Sequence, residues 1–120
     1  SKISDRSEEI LPEIVRRTVR IKLDHAEPDV REKGVRLHLN YGHTIGQAIE
    51  IATDLEHEIY RHGEAVALGT LAAAHLADTY YDDKGNRVEA HRQLLGAFHL
   101  PLSIDMRSIS VDAQSLQRAI

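Results

Sequence analysis

Cysteine and tryptophan are absent from this 120-residue chain, methionine occurs once, and the only aromatic side chains are Tyr41, Tyr60, Tyr80, Tyr81 and Phe98. Without cysteine there is no disulfide framework and no thiolate metal site, so the redox compartment is left open. With so few aromatic rings, a core has to be assembled from Leu, Ile, Val and Ala, which favours packed helices. The hydrophobic content of 42% is enough for one such core and one domain. No apolar run approaches the ~20 residues that span a bilayer, and the charged start, residues 1–9, lacks the apolar stretch of a signal peptide. A soluble, cytoplasmic protein without membrane contact is expected.

A concentrated basic stripe is also missing. Residues 1–36 carry nine Lys or Arg against eight Asp or Glu, and residues 37–81 carry only Arg61 against six carboxylates. Neutralising a run of phosphates needs clustered cations, so nucleic acid is not an expected partner. Nor is there a G-x-G-x-x-G loop, the usual cradle for a dinucleotide pyrophosphate. Neither an internal repeat nor a low-complexity tract is present, and no strand pattern of useful length occurs.

What the chain does have is helical periodicity. Ile10, Leu11, Ile14, Val15, Val19 and Leu23 recur at spacings of three and four, predicting an amphipathic helix over roughly residues 8–26. Ser7 is its expected N-cap, Pro12 falls near its start, and Glu27-Pro28 marks its stop. Ile45, Ala48, Ile49 and Ala52 predict a second helix between Asn40 and Leu55, in which Gly42 and Gly46 suggest close backbone approach. A charged loop is expected over residues 54–61. From His62 to Tyr81 the sequence is apolar nearly all round, as in a helix buried among others. A turn over residues 82–86, a fourth helix over residues 88–98 and a fifth over residues 111–118 complete an all-α bundle of about five helices.

Chemistry concentrates where two histidines, His43 and His62, open consecutive helices. If those helices pack side by side as an αα-hairpin, their N-terminal ends converge only with a suitable intervening loop, which the charged and polar residues between them make geometrically possible. Two histidines among eight are weak evidence alone, and His25, His38, His57, His75, His91 and His99 sit in no motif. They are read as ordinary hydrogen-bonded side chains.

The surrounding pattern is more specific. Arg36-Leu37-His38-Leu39-Asn40-Tyr41-Gly42-His43-Thr44-Ile45-Gly46-Gln47-Ala48-Ile49-Glu50, followed by His62-Gly63-Glu64-Ala65-Val66-Ala67-Leu68-Gly69, resembles the signature of the dehydroquinate synthase family of sugar-phosphate cyclases. The family pattern is close to R-x-x-L-N-x-G-H-T-x-G-H-A-x-E and then H-G-E-A-V-A-x-G. The resemblance implies that the chain is the helical C-terminal domain of such an enzyme, with an N-terminal NAD-binding domain lying outside it.

It further implies that His43 and His62 are two of three protein ligands to a catalytic Zn2+ or Co2+, the third being a glutamate upstream of Ser1. A catalytic zinc is held by three protein groups with one position open, so two ligands alone would bind weakly and an isolated fragment would be inactive. By the same resemblance Lys22 and Arg36 bind a substrate carboxylate, Asn40 contacts substrate oxygens, and the parent is a homodimer. Gln47 stands where the family has a histidine near the phosphate, with a part in proton movement. An amide can hold an anion but cannot carry a proton near neutral pH.

The implied reaction is cyclisation of a small sugar phosphate, 3-deoxy-D-arabino-heptulosonate 7-phosphate, to 3-dehydroquinate with loss of phosphate, NAD being used transiently. Gln47 keeps a second cyclase type open, one making 2-deoxy-scyllo-inosose or a valiolone from a substrate without a carboxylate. Arg36 with Lys22 and Asn40 favours the first. A helical binding module without chemistry is the remaining alternative.

Overall fold

A computed structural model of the chain describes residues 10–54, 59–81 and 85–104. The described residues are all-helical: four α-helices and one 3-10 helix, with no strand among them. The chain divides into two compact units, Ser1–Asn40 and Tyr41–Ile120.

In the first unit α1 spans Leu11–Ala26, with Pro12 in its first turn, where a missing N–H breaks no helical bond. Its solvent face is laced by Glu13 to Arg16 at 2.8 Å and to Arg17 at 2.6 Å, and by Arg20 to Asp24 at 3.0 Å. These two arginines hold the Glu13 carboxyl down at about 2, Arg16 being the larger influence. The helix ends as the sequence predicts, because Pro28 has no N–H to continue the ladder. The expected cap, Ser7, lies outside the described residues.

Asp29 then organises the following loop. Its carboxylate accepts backbone N–H groups from Lys33 at 2.9 Å, Gly34 at 2.6 Å and Arg36 at 3.2 Å. Those bonds, led by that from Lys33, hold the Asp29 carboxyl below its ordinary value. They deliver the chain into the 3-10 helix Val35–Asn40, which packs against α1. The His25 and His38 rings meet edge to face, centroids 6.1 Å apart.

The second unit holds α2, His43–Asp54, α3, His62–Tyr80, and α4, Arg87–Ala97. Helix α3 is central and packs on both others. One core cluster joins Ile49 of α2 to Ala65 and Leu68, with Ile45, Tyr60 and Ile104 around it. The other joins Ala67 and Leu71 to Leu95 of α4, with Val88, Leu100 and Leu102. Only the N-terminal part of α3 is enclosed: its buried residues run from Ala65 to Ala74, while Leu76 and Tyr80 are exposed. The sequence predicts burial along the whole helix, because apolar composition does not register where neighbouring helices stop.

The approach of α2 to α3 is set by glycine. A Cβ on Gly69 would strike the Gly42 carbonyl oxygen and stand 2.8 Å from the Gly46 nitrogen. Gly42 itself has φ +79°, and a Cβ there would lie 2.7 Å from Thr70 N and 2.9 Å from Val66 O. Main chain therefore rests on main chain. Helix α2 starts at His43 rather than Asn40, because Gly42 occupies the cap position: its carbonyl accepts the Gly46 N–H at 2.9 Å.

Both ends of α4 are fastened. At its start Asp78 accepts Arg87 Nη1–H and the Val88 N–H, each at 3.1 Å. Burial pushes the Asp78 carboxyl up, but these donors outweigh it and hold it below the ordinary value. At its end Leu100 N–H bonds Leu95 O and His99 N–H bonds Gly96 O, both at 3.0 Å, with His99 left-handed at φ 56°. That is a Schellman ending with histidine where glycine is usual. The fifth expected helix, residues 111–118, lies outside the described residues, as does most of the predicted turn at 82–86.

Candidate metal centre

His43 is the first residue of α2 and His62 the first of α3. The glycine contacts set the approach of the two helices, Gly42 and Gly46 lying against residues 65–70 of α3, and the two imidazole centroids lie 5.3 Å apart, the planes tilted by 58°. Two imidazoles bound at about 2.0–2.1 Å to one tetrahedral ion have ring centres roughly 5 Å apart, so the spacing fits a shared metal.

Each ring is held through Nδ1. For His62 the partner is the Glu50 carboxylate, Oε2 at 2.9 Å and Oε1 at 3.1 Å. For His43 it is the backbone carbonyl of Tyr41 at 3.3 Å. Carboxylate and carbonyl oxygens only accept, so Nδ1 of each ring carries a proton, and in the neutral ring Nε2 keeps its lone pair. Nε2 of both rings has no hydrogen-bond partner among the described residues. Metal-bound histidines have this arrangement, the far nitrogen donating to a carboxylate or carbonyl. The His62 side chain is 59% exposed, leaving the pair open from outside.

Gln47 follows His43 by four residues and Glu50 by seven, so His43, Gln47 and Glu50 share one face of α2. Gln47 is exposed and makes no hydrogen bond among the described residues, which leaves its amide available to an incoming group. No third His, Cys, Asp or Glu completes a metal-holding cluster among the described residues. Glu50 is committed to the Nδ1 side of His62.

Lys22, Arg36 and Asn40 belong to the first unit. Arg36 is half-buried, its backbone N–H on Asp29, Nη1–H on Val30 O at 3.1 Å and Nε–H on Glu32 at 2.9 Å. Lys22 is exposed and unpaired among the described residues. At ~100° per residue it falls on the α1 face that carries Leu11, Val15 and Val19, opposite Glu13, Arg17 and Arg20. A lone cation on the apolar side is unlike the paired arginines behind it. Asn40 ends the 3-10 helix, exposed.

Sequence reasoning gave no part to Glu50 or to the Tyr41 carbonyl. Glu50 was discoverable from its place on the His43 face; the Tyr41 carbonyl has no side-chain signal.

An all-helical domain that presents two Nδ1-anchored imidazoles side by side is, as a class, a candidate divalent-metal domain. The chain belongs to the 3-dehydroquinate synthase C-terminal family, whose model matches residues 1–120. It is 37% identical over 113 residues to the 3-dehydroquinate synthase of Syntrophotalea carbinolica, covering 94% of this chain and 31% of that protein. It is 40% identical over 93 residues to that of Corynebacterium diphtheriae (78% and 25%), and 52% identical over 68 residues to that of Acaryochloris marina (57% and 18%). The chain thus spans at most about a third of these relatives, 31% for the first. No solved structure matches it.

Proposed function

We propose that this chain is the metal- and substrate-binding part of a 3-dehydroquinate synthase that converts 3-deoxy-D-arabino-heptulosonate 7-phosphate to 3-dehydroquinate and phosphate. The observation that carries the reading is the His43–His62 pair, 5.3 Å between centroids with both Nδ1 atoms anchored. These residues would hold Zn2+ or Co2+ through Nε2, with a glutamate from the rest of the protein as third ligand. A divalent ion there supplies Lewis-acid polarisation of substrate oxygens.

The remaining work falls to the chain's own side chains. Glu50 keeps His62 in the Nδ1–H tautomer and fixes its plane. Arg36 offers a planar fork to the substrate carboxylate, with Glu32 already on its Nε edge, and Lys22 adds a point charge. Asn40 hydrogen-bonds substrate oxygens. Gln47 donates its amide N–H to the phosphate end; the proton of elimination must move by another carrier, because an amide has none to exchange. NAD is bound by an N-terminal domain, and the exposed apolar edge of α1, Leu11, Val15, Val19 and Leu23, is suited to packing against further protein.

Gln47 favours a second reading, a cyclase acting on a phosphate substrate without a carboxylate. Turnover by the full protein separates the two. The first reading expects turnover of the keto-acid phosphate, abolished by chelation and restored by Zn2+ or Co2+; turnover of glucose 6-phosphate alone would sustain the second. Metal-independent turnover would contradict both.

A further inference from the structure

The two imidazoles of the candidate metal centre are steered by different means, and one of those means reaches α4. His62 is held directly by a carboxylate of α2. His43 is held by a main-chain carbonyl, that of Tyr41, which is only as well aimed as the peptide that carries it. That peptide is tethered through its own side chain. The Tyr41 hydroxyl lies 3.1 Å from His91 Nε2 on α4 and 3.4 Å from the Thr70 carbonyl on α3.

The direction of the tether follows from chemistry. His91 Nδ1 is 2.7 Å from the Arg87 carbonyl, an acceptor only, so Nδ1 bears a proton, and in the neutral ring Nε2 is a lone pair. The phenol is therefore the donor to His91. It has one proton, and Nε2 is the nearer of its two acceptors. The rings stand 5.8 Å apart, tilted by 58°. On the other side of the same peptide, Gly42 is pressed against Val66 and Thr70 in a left-handed conformation. The Tyr41–Gly42 peptide is thus fixed at both ends, by α4 through the phenol and by α3 through the glycine.

We propose that Tyr41 and His91 are positioning residues for His43: the phenol–imidazole bond to α4 sets the peptide whose carbonyl selects the Nδ1–H tautomer of His43 and aims its Nε2. The inference rests on the metal reading for its functional meaning, but its structural content does not need a metal. Neutral imidazole in water prefers the Nε2–H form, so a loosened carbonyl lets His43 drift to a tautomer with no lone pair at Nε2.

The test uses the full protein with 15N-labelled histidine. Ring nitrogen shifts report the His43 tautomer in the metal-free state, and competition titration gives the affinity for Co2+. Tyr41→Phe and His91→Leu cut the same bond from its two ends, so either suffices if the other fails to fold. His91→Gln keeps an acceptor for the phenol. Both cutting variants should shift His43 toward Nε2–H, leave His62 in the Nδ1–H form and weaken Co2+ binding by roughly 10- to 100-fold, with His91→Gln largely restored. An unchanged His43 tautomer in both cutting variants overturns the proposal. Should the unmodified protein bind no divalent ion while the tautomer still responds, the positioning stands and the metal reading falls.

Discussion

Gly69→Ala puts a methyl group where two backbones touch, and its effect can be worked from the contacts. The new Cβ would overlap the Gly42 carbonyl oxygen and stand 2.8 Å from the Gly46 nitrogen, where ordinary contact begins at 3.4 Å. Neither obstacle is a side chain that can turn away. Helix α2 must therefore retreat by about 1 Å, and overpacking of this kind costs about 1–3 kcal/mol, here toward the upper end. The retreat also opens the His43–His62 pair, since His43 heads the turn of α2 that rests on Gly69 while His62 stays on α3. Alanine at Gly96 is the control: its nearest neighbour would be Leu102 Cδ1 at 3.9 Å, and with a helical backbone the exchange should stabilise by roughly 0.5–1 kcal/mol. Native-state hydrogen exchange over α2 and α3 reads the first effect locally, and thermal unfolding compares the two variants. If Gly69→Ala leaves exchange in α2 at its original rate and the melting temperature unmoved, the packing argument is wrong.

Three further outcomes are expected. Glu50→Ala should weaken Co2+ binding roughly 10- to 100-fold while changing stability by less than about 1 kcal/mol, because the Glu50–His62 contact is exposed but orients a ligand; calorimetric titration beside thermal melts checks both halves. His99→Gly should raise stability by up to about 1 kcal/mol, by relieving a left-handed histidine at the end of α4, and a melting curve decides it. Asp29 makes the loop before the 3-10 helix acid-sensitive. Its folded pKa lies below the unfolded value, so its contribution is present above the ordinary value of 3.8 and is lost as pH falls through the lowered folded value. Exchange of the Lys33, Gly34 and Arg36 amides with pH follows this, and Asp29→Asn should remove the dependence.

Much of the helical frame was legible in residue spacing. The end of α1 at Pro28, the start of α3 at His62 and the span of α4 follow from a ring that blocks a helix, an unbroken apolar run and a renewed period. The 3-10 helix was not legible, because Val35, Leu37 and Leu39 alternate and a six-residue element offers no helical period to detect. Helix α2 begins three residues beyond Asn40 because a positive φ at Gly42 caps it, a backbone property that the letter G permits without requiring.

The site divides the same way. His43 and His62 stood out because they head two motif segments, and the structure brings their rings to 5.3 Å. Glu50 was visible inside the motif, yet its partner is 12 residues away on another helix, and only packing reveals the contact. Tyr41 and His91 are separated by 50 residues and share no motif at all. Contacts of that range are written in the geometry of α3, which both neighbouring helices lean on, rather than in any local pattern.

X-ray absorption of the cobalt-loaded full protein, counting imidazoles around the ion in the unmodified chain and in His43→Ala and His62→Ala, bears most directly on the paired-histidine site. Two imidazoles on one ion, falling to one in either variant, is the expected result. Cobalt bound with no imidazole, or a count unchanged by both substitutions, would mean that the two rings meet for some other reason.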